Sequence, residues 1–242
     1  MGKILAFVSG KGGTGKTSMC AAVSSCLAEA GMRVLCVDLD VGLRNLDLAL
    51  AMTEEGIIPF TSVMDGTYTP EQLTPHVRYP GLYLLTAPVN TEPEDIGAEE
   101  FSVFLAGLRD AFDFVLLDAP AGVGNLFRLA AEGADEVIVV TGGDKATLRD
   151  AARAAQLLDG KPARLLVNRL QTKLFTRMKT TVDDIMDEVS LPLLGLVPED
   201  PSVPLSAMQG NPLLLRPRTG AAKACRRVAH RLMGRKIPLG RL

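Results

Sequence analysis

At 242 residues, 47% hydrophobic and 22% charged, the chain has the make-up of an ordinary globular protein and the length of one large domain. No apolar run approaches the ~20 residues that cross a bilayer; MGKILAFVSG at the N-terminus has neither a cleavable apolar segment nor Ser/Thr at position 6; and Cys20, Cys26, Cys36 and Cys225 form no C-x-x-C pair, so a reduced, cytoplasmic protein is expected. The net charge of −2 hides an asymmetry: Pro201 to Leu242 holds nine of the 26 Lys/Arg and none of the 28 Asp/Glu, leaving 17 basic against 28 acidic groups before it, a net of +9 against −11.

Short apolar, β-branched runs alternate with helical segments. The first expected strand is ILAFVS (4–9), and a helix follows over Thr17–Ala30. Strands VLCVD (34–38) and LYLLTA (82–87) come next, separated by a turn-rich segment, 53–80, that resists assignment. Then come a helix over Glu99–Ala111, strand FVLLDA (114–119), a helix over Leu126–Glu132, strand EVIVVTG (136–142) and a helix over Ala146–Leu158. Strand RLLVNR (164–169), a helix over Thr181–Val189, strand LLGLVP (193–198) and a basic helix within 219–234 complete the pattern. Strands apolar throughout are buried on both faces, as in parallel sheets. The expected fold is therefore α/β: a doubly wound, mostly parallel sheet flanked by helices on both faces. No repeat or linker interrupts residues 1–242, so one domain is expected. Ligands in such sheets bind beyond the carboxyl ends of the strands.

Gly10 to Thr17, GKGGTGKT, satisfies G-x-x-x-x-G-K-[ST] between a strand and a helix, the setting a phosphate-binding loop requires. Gly10, Gly12, Gly13 and Gly15 let backbone N–H groups, with those of Thr14 and Ser18, converge on phosphate oxygens. Lys16 would reach the β- and γ-phosphates, and the Thr17 hydroxyl would ligate Mg²⁺. The loop carries a second lysine, Lys11. On the outer part of the loop it either stands in solvent or projects toward nucleotide held by a second copy, as an arginine finger does. Asp38 and Asp40 follow one strand and Asp118 ends another, before Pro120-Ala121-Gly122. An aspartate ending a hydrophobic strand holds Mg²⁺, usually through water, although strand-end aspartates also serve simply as turn acceptors.

KGGTGKT (11–17) resembles the deviant Walker A loop of the MinD/ParA P-loop ATPases. VDLDVGLRNLDLAL (37–50) is similar to the MinD branch in particular, and FDFVLLDAPAGVG (112–124), LLGLVPEDPSV (193–203) and QGNPLL (209–214) extend the likeness along almost the whole chain. The resemblance implies an ATP-dependent homodimer in which Lys11 contacts the partner's nucleotide. It implies Mg²⁺-dependent hydrolysis of ATP to ADP and phosphate. Asp40 would orient the attacking water, Asp38 would stand behind the Mg²⁺ ligands, Gly122 would be the switch glycine, and Asn168 with Pro198, Glu199 and Asp200 would flank adenine. The helix carrying TLRD (147–150) would meet a MinC- or MinE-like partner. The biological role implied is a spatial switch in placing the division septum. The alternatives are a ParA-type partitioning ATPase that binds DNA and a flagellar-number ATPase, the latter disfavoured by Arg44. Iron–sulfur relatives need cysteine ligands, and none lies between residues 36 and 225.

TGAAKACRRVAHRLMGRKIPLGRL (219–242) resembles the helix that precedes the branch's membrane-targeting tail. Cys225, Val228 and Leu232 form a thin apolar stripe, with Lys223, Arg226, Arg227, Arg231 and Arg235 over much of the rest. Each basic side chain near an anionic surface contributes about 1 kcal/mol, and stable anchoring takes two signals. A weak, transient contact with an anionic membrane surface at the inner face of the cell membrane is therefore expected, rather than strong anchoring.

Overall fold

The computed structural model describes residues 1–41, 43–53, 57–89, 91–171, 181–209 and 220–239. Its strands are β1 (Lys3–Val8), β2 (Val34–Asp38), β3 (Ile58–Pro59), β4 (Leu82–Thr86), β5 (Phe114–Asp118), β6 (Glu136–Thr141), β7 (Ala163–Leu170) and β8 (Leu193–Pro198). They form one sheet in the order β3-β4-β2-β5-β1-β6-β7-β8, every described pairing parallel. The helices are α1 (Lys16–Glu29), α2 (Leu46–Leu50), α3 (Phe60–Met64), α4 (Ala98–Leu108), α5 (Asn125–Gly133), α6 (Lys145–Gln156), α7 (Val182–Val189), α8 (Ser202–Met208) and α9 (Gly220–Leu232).

Strand alternation explains why the apolar runs are continuous. In β1, Leu5 and Phe7 enter one core layer with residues of α1, α2 and α9, whereas Ile4, Ala6 and Val8 enter the other with α4, α5, α6 and α7. Both faces of each central strand are thus buried. Helix ends are fixed by local chemistry: Asp144 accepts from the N–H groups of Ala146 and Thr147 to start α6, and Thr181 forms a capping box with Asp184 to start α7.

The expected strands and long helices all occur, with no end moved by more than three residues. Segment 53–80 contains β3, α3 and a 3₁₀ turn over Pro70–Gln72. In α9, Cys225, Val228 and Leu232 are buried in the layer shared with α1 and β8, and Arg226 pairs with Glu29 of α1 at 2.7 Å. The apolar stripe of the basic helix therefore faces the protein's own core. Among the described residues no helix is long and apolar enough to cross a membrane.

Candidate functional site

β1 lies between β5 and β6 near the middle of the sheet, and the chain leaving its carboxyl end curls through residues 9–15 into α1. Gly13 and Gly15 take left-handed φ angles of +82° and +85°. At Gly13 that conformation alone calls for glycine, since a Cβ would meet nothing within 4 Å; at Gly15 a Cβ would also lie 2.3 Å from Asn168 Nδ2. A Cβ on Gly10 would lie 2.1 Å from the carbonyl oxygen of Asp150, so the start of the loop is pressed against α6. α1 begins with no side-chain cap and no acidic residue in its first turn. Its first N–H groups and the positive end of its dipole are left for an anion. Gly12 to Ser18, with Asp40, Leu43, Asn45, Ala121 and Arg169, line a cleft of about 450 Å³ at this point.

Register places the carboxylates. Asp38 of β2 stands opposite Asp118 of β5, which also stands opposite Phe7 of β1. Counting by two from Cys36 and Leu116, both aspartates point to the face that carries α1. Lys16, in the first turn of α1, places Nζ 2.6 Å from Asp118 Oδ1, with both side chains buried. Asp118 Oδ2 and Thr14 Oγ1 are buried without a hydrogen-bond partner. Asp38 accepts from the N–H of Asp40 at 2.9 Å on Oδ1, and from those of Asn45 at 3.2 Å and Leu46 at 3.1 Å on Oδ2. It thereby holds the whole turn from Asp40 to the start of α2. Burial, helped by the neighbouring Asp118 carboxylate, pushes Asp38 up to about 6. Burial also raises the half-buried Asp40, and the Lys16 charge pulls it back.

These residues fit a magnesium nucleotide. An uncapped helix start, a loop of left-handed glycines and a buried lysine receive phosphates, while the Thr17 hydroxyl and the partnerless Asp118 oxygen suit a hydrated cation. Among the described residues no group of three His, Cys, Asp or Glu side chains is gathered as a metal cage. Mg²⁺ uses one or two carboxylates and shares the rest of its shell with phosphate and water.

Residues 5–213 match the family model described as the CobQ/CobB/MinD/ParA nucleotide binding domain. The chain belongs to the MinD/ParA family of nucleotide-binding domains. It is 35% identical to the septum site-determining protein MinD of Bacillus subtilis, over 99% of this chain and 92% of that protein. Among solved structures it resembles the MinC:MinD cell division protein complex of Aquifex aeolicus, with a TM-score of 0.89 and 31% identity over 99% of this chain and 98% of that one. It also resembles MinD complexed with Mg-ADP from Pyrococcus horikoshii, with a TM-score of 0.83 and 28% identity over 98% of this chain and 100% of that one.

Within this MinD/ParA site the residues expected from sequence take distinct places. Lys16 is buried on Asp118, whereas Lys11 is exposed. Gly122, at φ +92°, donates its N–H to the Ser9 carbonyl at 3.1 Å, tying the turn after β5 to the loop after β1. Asn168 donates Nδ2 to the Thr14 carbonyl at 2.8 Å, so one edge of its amide braces the loop. Pro198 closes β8 and Glu199 donates its N–H to the Leu170 carbonyl. The Asp200 carboxylate accepts from Ser202 N and Oγ and from Ala221 N, joining the starts of α8 and α9. Gly42, in the GLRN string, lies outside the described residues. Sequence reasoning missed Arg169, which lines the cleft. In an unbroken strand it would point away from its neighbour Asn168, so only the observed pairing of β7 reveals it.

Proposed function

We propose that this chain is a MinD-type ATPase, working as one unit over residues 1–242, that dimerises on binding Mg-ATP, hydrolyses it to ADP and phosphate, and acts as a spatial switch in placing the division septum. The observation that carries this reading is the contrast between the two loop lysines: Lys16 is buried at the Asp118 carboxylate, and Lys11 is exposed to solvent.

Lys16 would leave Asp118 for the β- and γ-phosphates, and Asp118 would then face the hydrated cation beside Thr17. Mg²⁺, when bound, neutralises charge on the phosphate oxygens. Asp40 would accept a hydrogen bond from the attacking water, and Asp38, which grips the Asp40 N–H, would set its position. Catalysis then rests on positioning and charge neutralisation, with no covalent step. Lys11 of a second copy would complete the charge around the γ-phosphate. Exposed apolar side chains support association through this end of the sheet: Leu43, Leu48 and Val123 are 70%, 54% and 38% exposed, and Leu43 and Leu48 also line the cleft.

A MinC- or MinE-type partner on α6 is supported by the contact between Asp150 and Gly10, through which an outer helix meets the phosphate loop directly. With the stripe of α9 used in the core, peripheral contact with an anionic membrane surface rests on basic side chains such as Lys223, Arg227, Arg235 and Lys236, and salt would weaken it. Phosphate release measured across a range of protein concentrations tests the reading. Specific activity should rise with concentration and vanish in Lys16→Ala; activity independent of concentration would argue against catalysis by a dimer.

A further inference from the structure

β7 and β8 pair with Val167 opposite Leu196 and Leu170 opposite Pro198, so three steps along β7 match two along β8. The extra residue makes a bulge at Asn168–Arg169. Arg169 takes φ +54° there, a left-handed conformation that glycine adopts freely and side-chain-bearing residues seldom do. Such outliers persist where surrounding structure holds them, often at functional sites.

The bulge changes what the two side chains can reach. In a regular strand Asn168 and Arg169 would point to opposite faces. Here both turn to the phosphate loop and grip consecutive carbonyls: Asn168 Nδ2 donates to Thr14 O at 2.8 Å, and Arg169 Nη1 donates to Gly13 O at 2.9 Å. A trans peptide points its C=O and the following N–H in opposite directions. Pinning the carbonyls of Gly13 and Thr14 against β7 therefore aims the N–H groups of Thr14 and Gly15 away from β7, toward the cleft. Gly13 and Gly15, both left-handed, let the backbone accept that orientation.

We propose that Arg169 is a positioning residue for phosphate binding: through the β7 bulge it presets the loop amides before a nucleotide arrives. The proposal rests on reading the cleft as a nucleotide site. It separates two parts of ligand recognition, since the Arg169 bond orders groups that meet phosphate and leaves those that meet the base untouched.

The test is calorimetric titration of the full chain with ADP, inorganic pyrophosphate and adenosine, comparing wild type with Arg169→Gly and Arg169→Ala. Arg169→Gly suits the left-handed backbone, so it removes the side chain without disturbing the bulge. Loss of one charge-assisted hydrogen bond should weaken ADP and pyrophosphate about tenfold in both variants, with adenosine unchanged and the loss in turnover appearing in KM. Arg169→Gly should be thermally more stable than Arg169→Ala, because both lose the bond to Gly13 and only alanine keeps the strain of a left-handed backbone. Wild-type pyrophosphate affinity in Arg169→Gly, or an equal loss for adenosine, would overturn the proposal while leaving the nucleotide reading intact. A wild-type protein that bound neither ADP nor pyrophosphate would overturn both.

Discussion

Asp38→Asn isolates the electrostatic burden carried by the site when no cation shares it. Asp38 is fully buried beside Asp118, and burial with that neighbouring charge raises its carboxyl from an ordinary 3.8 to about 6. At 1.36 kcal/mol per unit, keeping it ionised in the folded protein costs about 3 kcal/mol relative to the unfolded chain. Because the folded value is the higher one, this group contributes stability below about pH 4, and that contribution is lost as pH rises toward and through about 6. Roughly 2 kcal/mol of the change should fall between pH 4.5 and 7.5. Asparagine does not titrate. Its amide also has only one acceptor oxygen for the N–H groups of Asp40, Asn45 and Leu46, and that loss is a constant offset at every pH. Urea unfolding of both proteins in EDTA should therefore show the stability difference shifting by about 2 kcal/mol in favour of Asp38→Asn as pH is raised from 4.5 to 7.5. A difference that stays constant with pH would refute the argument.

Gly15→Ala places a methyl 2.3 Å from Asn168 Nδ2 on a backbone at φ +85°. Strain of roughly 1–2 kcal/mol and loss of the Asn168–Thr14 hydrogen bond, worth about 1 kcal/mol, should lower Tm by roughly 5–10 °C and abolish measurable ADP binding; unchanged Tm would show that the loop adapts freely. All four cysteines are buried, and burial raises Cys20 and Cys26 well above their ordinary value and Cys225 to about 12. A thiol reagent at pH 8 should therefore react with the native protein only on the timescale of unfolding, and a rapid stoichiometric reaction would contradict the packing of α1 on β2 and α9.

What could be read from the chain was what depends on near neighbours. VLCVD coincides with β2 as observed, because a strand buried on both faces leaves a continuous apolar run. The phosphate loop was equally plain, since its glycines, lysines and Thr17 work at fixed local spacing. Elements that depend on distant partners were not legible. α2 is five residues long, and its first N–H is capped by Asp38, eight positions earlier. β3 has two residues, one of them proline, and exists only by pairing with β4. Strand order decides that Asp38 and Asp118 are neighbours, and chain order does not disclose it. Arg169 illustrates the same limit: its approach to Gly13 requires a bulge set by how β7 registers against β8. The apolar stripe of α9 was visible in sequence, but which surface it covers was decided by α1 and β8.

If an exposed lysine of one copy completes the triphosphate site of another, ATP-dependent dimerisation must depend on Lys11. Sedimentation velocity with Mg-ATP tests it most directly, using Asp40→Ala to slow hydrolysis. Asp40→Ala alone should sediment as a dimer, and Asp40→Ala combined with Lys11→Ala should remain a monomer while still binding nucleotide. A dimer of equal strength in the double variant, or only monomer in Asp40→Ala, would contradict the account.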